Sequence, residues 1–289
     1  MSQRITQSMR EIYEACVQIL EEGKSAAIAT IIRADARWVI GKKMLVRIDG
    51  STLGDLGDEP LTAYAQALAR RSLAAGQSQR VALIQQDGVL RDAPAGEPGQ
   101  VELFVEVLQP NPTLLLIGAG HIGEATIKLA KMLRWRVVVI DDRPDFITPA
   151  RLPEADERIL VQYDPKTETL AEMPLRITPS TFVLVATWGW DEPALRQIAA
   201  APAAYIGLVA SARKSIIIFR DLIKDGVAPE ILARIRVPTG LDLGAETPME
   251  IAISIMAEML MVQRHATGAP LAQFKGSAIM KQSLKGSQP

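Results

Sequence analysis

The chain has 289 residues, 48% of them apolar and 22% charged, with 32 Lys plus Arg against 33 Asp plus Glu. That length fits about two domains and the composition fits an ordinary globular core, while the even charge balance carries no electrostatic footprint of nucleic-acid binding. One cysteine and two histidines supply neither an intramolecular disulfide nor a zinc site of sulfur and imidazole.

Residues 1–10 are polar, without the apolar core of a signal peptide, and the expectation is a protein of the reducing cytoplasm. The spacing of Ile12, Ala15, Ile19 and Leu20 predicts a helix over 7–22, ended by Gly23 and burying Cys16 on its apolar face. Strands are expected over 26–32 and 43–48, the second closing on the turn signal Asp49-Gly50. A helix over 61–75 follows, then a strand pair around 81–84 and 101–108, with a Pro- and Gly-containing loop at 92–99 between them. Pro110 and Pro112 favour an extended connection. The expected division is therefore a small α+β domain over 1–109, a linker over 110–113, a second domain over 114–265 and a flexible tail over 266–289.

The second domain opens on the most informative stretch of the chain. Leu114-Leu115-Leu116-Ile117 runs into Gly118-Ala119-Gly120-His121-Ile122-Gly123, then a helix over 124–133, then Arg136-Val137-Val138-Val139-Ile140 ending on Asp141. This is the order of a dinucleotide-binding unit. Gly118 allows the tight turn, Gly120 lets backbone approach a pyrophosphate, and Gly123 lets the helix pack on the strand. Free N–H groups at the helix start face the anion, and Asp141 stands where a carboxylate accepts from a ribose diol. His121 is placed to donate to a phosphate or a base, or to serve only as a loop residue.

Further on, strands are expected at Val161, 182–186 and 205–209, and helices at 192–199, 213–225, 229–233 and 248–264. Apolar strands alternating with helices argue for an α/β domain, a parallel sheet covered on both faces. The last helix is apolar on most sides, so it is either sandwiched in the core or shared with a second subunit. After the 182–186 strand come Thr187 and Trp188, with Trp190 nearby; the two tryptophans either stack on a flat heterocycle or cap the core. Asp191 is explained as a helix start. Ser211, Arg213 and Lys214 follow the next strand; cations at a helix N-terminus oppose its dipole and so point to an anion site. In the loop before the last helix, Asp242 and Glu246 have no local structural explanation, whereas Thr247, Pro248 and Glu250 make a capped helix start.

These pieces in this order resemble the XdhC/CoxI family, accessory proteins of molybdenum hydroxylases such as xanthine dehydrogenase and carbon monoxide dehydrogenase. The resemblance rests on Gly118 to Gly123, Asp141-Asp142-Arg143-Pro144, Tyr205-Ile206-Gly207-Leu208 with Ser211-Ala212-Arg213-Lys214, and Pro238-Thr239-Gly240-Leu241-Asp242-Leu243-Gly244 continuing through Thr247-Pro248-Met249-Glu250 to Ala257-Glu258. It implies a C-terminal Rossmann-like parallel sheet after a small α+β domain. It also implies a homodimeric chaperone that binds molybdenum cofactor and, after sulfuration, delivers it to the hydroxylase apoenzyme, with a cysteine desulfurase as a further partner. Such a protein needs anion contacts for the pterin's phosphate but no catalytic residue. An NAD(H)-dependent oxidoreductase and a nucleotide-sensing interaction module are the alternatives, with NAD or another nucleotide in the crevice. Two departures stand out. Arg33 to Arg37 and Gly54 to Pro60 replace the family's Gly-Ser-x-Pro-Arg segment and its cysteine-bearing glycine turn, and Thr187-Trp188 stands where Thr-His is usual.

Overall fold

A computed structural model describes residues 2–86, 89–94 and 96–273. Two compact units divide the chain: residues 1–112 with a return of 176–180, and residues 113–175 with 181–289.

The first unit runs α1 (Ser2–Glu21), β1 (Ala26–Ala34), β2 (Lys43–Arg47), β3 (Thr52–Leu53), α2 (Glu59–Ala75), β4 (Gln79–Gln86), β5 (Val89–Asp92) and β6 (Val101–Leu108). Its strands pair antiparallel in the order β3-β2-β1-β6-β4-β5. Strand alternation decides which helix each residue of β1 meets. Ala27, Ala29 and Ile31 pack with Leu61, Ala65 and Leu68 of α2, while Ala26 and Ile28 pack with Ile12, Cys16 and Ile19 of α1. The sheet is thus buried on both faces. Asp58 starts α2 by accepting from Leu61 N at 2.9 Å, and Gly76 ends it in the left-handed conformation at φ 64°. Burial pushes the Cys16 thiol up, aided by the charge of Glu106, as suits a packing residue rather than a nucleophile.

The second unit continues with β7 (Thr113–Ile117), α3 (His121–Met132), β8 (Arg136–Asp141), β9 (Glu157–Leu160), β10 (Tyr163–Asp164), β11 (Thr169–Leu170), β12 (Thr181–Val185), α4 (Asp191–Ile198), β13 (Tyr205–Leu208), α5 (Ala212–Lys224), α6 (Pro229–Leu232), β14 (Ile235–Arg236) and α7 (Pro248–Gln263). Six strands pair in the order β14-β13-β12-β7-β8-β9, every pair parallel. Strand order reverses between β7 and β12, which lie in register from Thr113 beside Thr181 to Ile117 beside Val185. Both are apolar because both faces are covered. Leu114, Leu116, Phe182 and Leu184 meet Ile127 of α3 and Ile255 and Met259 of α7 in one core, with the Trp135 ring 4.8 Å from Phe182.

Several expectations shift. The strand expected at Val161 is β9, ending one residue earlier: its Glu and Arg mark a half-exposed edge, which hides the apolar alternation. The strand at 89–92 takes the start of the expected loop, and β3, β14 and the β10–β11 hairpin arise where no strand is expected. Each of these last four is two residues long, too short to show a period. α7 packs on α3 through Ala252, Ile255 and Met259 and leaves Ile253 47% exposed. Of the expected flexible tail, 274–289 lies outside the described residues.

Candidate functional site at the strand-order reversal

The turn after β7 is fixed by backbone contacts. Gly118 adopts φ 104°, donates from its N–H to Ile140 O at 2.8 Å, and lies so close to the Ala186 carbonyl beyond β12 that a Cβ could not be placed there. Gly123 faces the same constraint from the helix side: a Cβ would stand 2.7 Å from Gly118 O and 2.9 Å from Leu116 Cδ2. Gly120 differs. It is extended, precedes the first turn of α3, and a Cβ there would meet nothing within 4 Å. The space over Gly120, at the start of α3, is therefore open, and His121 is exposed beside it.

Asp141, at the end of β8, is wholly buried. Its Oδ2 accepts from Ala119 N at 2.6 Å and Arg143 Nη2 at 2.8 Å, and its Oδ1 accepts from Arg143 N at 2.9 Å and Nε at 2.8 Å. Burial alone would raise this carboxyl, but the Arg143 fork and the Ala119 amide together hold it below the usual carboxylate range. Asp141 therefore clamps the glycine turn to β8, and its four bonds leave it turned inward, away from the diol expected of it. Arg143 also lies over the Phe146 ring, 3.5 Å from its centroid, and Arg151 lies 3.7 Å from the same ring.

The next residue, Asp142, accepts at Oδ1 from Trp190 Nε1, 3.0 Å away. The two tryptophans of the loop after β12 have opposite fates: Trp190 is 1% exposed and Trp188 is 88% exposed. Thr187 donates from Oγ1 to Asp191 Oδ1 at 2.9 Å and accepts from Trp190 N at 3.2 Å. Asp191 is 1% exposed and takes the Lys214 ammonium at its other oxygen. Sequence reasoning missed this hub because a helix start already explained Asp191. The available signal was Thr187 four residues before it and an unexplained lysine after the next strand. Ser211 caps α5, accepting from Lys214 N at 3.3 Å. Arg213 is exposed and has no ion pair among the described residues.

Residues 118–123, 141–143, 187–191 and 211–214 are thus joined at the carboxyl ends of β7, β8, β12 and β13, where ligands of open α/β sheets bind. Asp242 is exposed in the loop after β14, and no hydrogen bond joins it to that group among the described residues. Its loop is held from α7 instead. Glu258, which in the sequence only closes the family-like stretch, accepts from Tyr205 Oη at 2.6 Å, Gly240 N at 2.7 Å and Arg236 Nη1 at 3.3 Å. In the first unit, the two stretches that depart from the family pattern meet, Arg37 pairing with Asp58 at 2.8 Å. Among the described residues there is no group of three metal-ligating side chains, and no helix is long and apolar enough to cross a membrane.

A six-stranded parallel sheet reversing order beside a glycine turn defines a Rossmann-type domain. The profile of the XdhC Rossmann domain matches residues 114–259 and that of the XdhC and CoxI family matches residues 19–84. The chain belongs to the XdhC/CoxI family. It is 34% identical over 263 residues to the uncharacterised protein YqeB of Escherichia coli K12, covering 89% of this chain and 47% of that protein. It is 25% identical over 265 residues to a probable xanthine dehydrogenase subunit of Bacillus subtilis 168, covering 91% of this chain and 68% of that protein. The chain therefore spans about half the length of the first relative and two thirds of the second. A solved structure described as a xanthine dehydrogenase of Bacillus halodurans aligns over 89% of this chain and 98% of its own, at 20% identity and a TM-score of 0.47.

Proposed function

We propose that the protein binds molybdenum cofactor as cargo and, once the cofactor is sulfurated, hands it to a molybdenum hydroxylase of the xanthine dehydrogenase type. The observation that carries this reading is the open space over Gly120 at the strand-order reversal, bordered by the first N–H groups of α3. A pterin phosphate fits that chemistry. Helix N-terminal amides take its phosphate, and Gly118 and Gly123 hold the backbone in place for it. Lys214, fixed by Asp191 yet 45% exposed, and Arg213 supply positive charge on the neighbouring α5. Trp188 offers an exposed ring, and His121, Asp142 and Thr187 offer polar contacts. Asp141 and Arg143 act on the ligand through the turn they clamp. Asp242 belongs to the binding set only as a rim residue of the same sheet end. The family, and the name carried by the Bacillus subtilis relative, support a xanthine dehydrogenase-type client. In this reading the protein is a cytoplasmic homodimer served by a cysteine desulfurase.

Anaerobic gel filtration tests it, with cofactor detected as its oxidised fluorescent pterin. Retention near one per chain, lost in Lys214→Ala, supports the reading. Absence of retention, with NADH still bound, replaces it by the dinucleotide alternative.

A further inference from the structure

Asp141 is closed off, whereas Asp142, the carboxylate beside it, lines open space. Asp142 lines a cavity of about 690 Å³ at the carboxyl ends of β8 and β9, walled by the β10–β11 hairpin. Pro144, Leu160 and Val161 give it apolar sides, and Tyr163, Asp164 and Thr169 line it from the hairpin, Asp164 as a second carboxylate. No lysine or arginine lines it, so the cavity suits a neutral group rather than a phosphate. The Asp142 carboxylate is oriented from behind. Trp190 Nε1 donates to its Oδ1 at 3.0 Å, and the Trp190 ring is buried 6.3 Å from the Tyr163 ring. Its Oδ2 receives no hydrogen bond from the described residues, while Oδ1 also has the Arg143 guanidinium at 3.9 Å.

We propose that this cavity is the heterocycle subsite of the crevice, and that Asp142 selects a ring presenting two adjacent N–H donors, the 2-amino-4-oxopyrimidine edge shared by pterins and guanine. An ionised carboxylate only accepts. It can take two parallel N–H bonds from a ring N–H and its neighbouring amine. Adenine presents a ring lone pair beside its amine, which would oppose the carboxylate. The phosphate stays at the glycine turn and Lys214, so one ligand spans both places. The assignment rests on the cargo reading for its choice of a pterin.

The test is calorimetric titration of the full chain with neopterin monophosphate, GMP, AMP and inorganic phosphate, for the natural protein, Asp142→Asn and Asp142→Ala. Asparagine keeps an acceptor for Trp190, so this variant is expected to retain the natural melting temperature. The expected result is neopterin monophosphate and GMP tenfold or more tighter than AMP, with that preference gone in Asp142→Asn and phosphate affinity unchanged. Equal binding of GMP and AMP, an unchanged preference in Asp142→Asn, or no binding of any ring probe overturns the subsite. If molybdenum cofactor is still retained on gel filtration in those cases, the cargo reading stands without it. An Asp142-dependent preference for GMP in a protein that retains no cofactor keeps the subsite and removes the cargo reading.

Discussion

Gly118 and Gly120 stand two residues apart for opposite reasons, and substitution separates them. At φ 104° and against the Ala186 carbonyl, Gly118 admits no side chain, because both neighbours are backbone. Gly118→Ala is expected to cost about 3 kcal/mol, from strained backbone plus a clash that cannot relax, read as a lower urea midpoint. Gly120→Val is extended with open space before it, so urea unfolding is expected to change by about 1 kcal/mol at most. Its ligand binding should vanish, since the new side chain occupies the approach to the helix amides. Asp141 makes stability depend on pH. Its folded carboxyl lies below the unfolded value of about 3.9. The stability it contributes is therefore complete above that value and is lost as pH falls through the depressed folded value. The stability gap between the natural protein and Asp141→Asn should be constant from about pH 7 to pH 5 and narrow only below about pH 4. A gap that closes above pH 5 would mean that the Arg143 clamp does not hold the charge.

Helix α7 holds the loop that carries Asp242, through Glu258 and Gly240. Burial and the Glu258 carboxylate raise the Tyr205 hydroxyl well above its ordinary value, so the phenol stays a donor. Glu258→Ala removes the acceptor that Tyr205 and the Gly240 amide share, while Tyr205 keeps its bond to Thr239 and Arg236 is half-exposed, an expected loss of about 1–3 kcal/mol. Chemical denaturation measures it, and a loss under 1 kcal/mol would show the network to be dispensable. The same residues show what sequence can and cannot carry. β7, the glycine turn, α3 and β8 are legible because their contacts join near neighbours: the turn and the strand that receives it lie within about 30 residues of chain. Glu258 needs Tyr205, 53 residues away, and Asp191 needs Lys214, 23 away. No local period records such pairs. A carboxylate in the middle of a helix that is apolar on most sides is still a signal, since a buried charge must be partnered. The inward turn of Asp141 is hidden for a related reason: Arg143, two residues on, reads equally well as a ligand contact or as a clamp, and only three-dimensional placement decides.

For the whole molecule, each unit has its own core: Ile31, Leu61 and Leu103 in the first, Leu116, Phe182 and Met259 in the second. Cores that share no residues need not melt together. Scanning calorimetry is therefore expected to resolve two transitions, and two perturbations assign them. Glu258→Ala should lower only the transition of the second unit. A ligand bound at the strand-order reversal, present at 100 times its dissociation constant, should raise that same transition through about 2.7 kcal/mol of linkage. Coincidence of the two responses places the ligand on the unit that Glu258 supports. A ligand that instead raises the transition Glu258→Ala leaves unmoved is bound through the first unit, where Arg37 and Asp58 stand paired in the divergent stretches. The crevice beside Gly120 would then not be where the cargo is held.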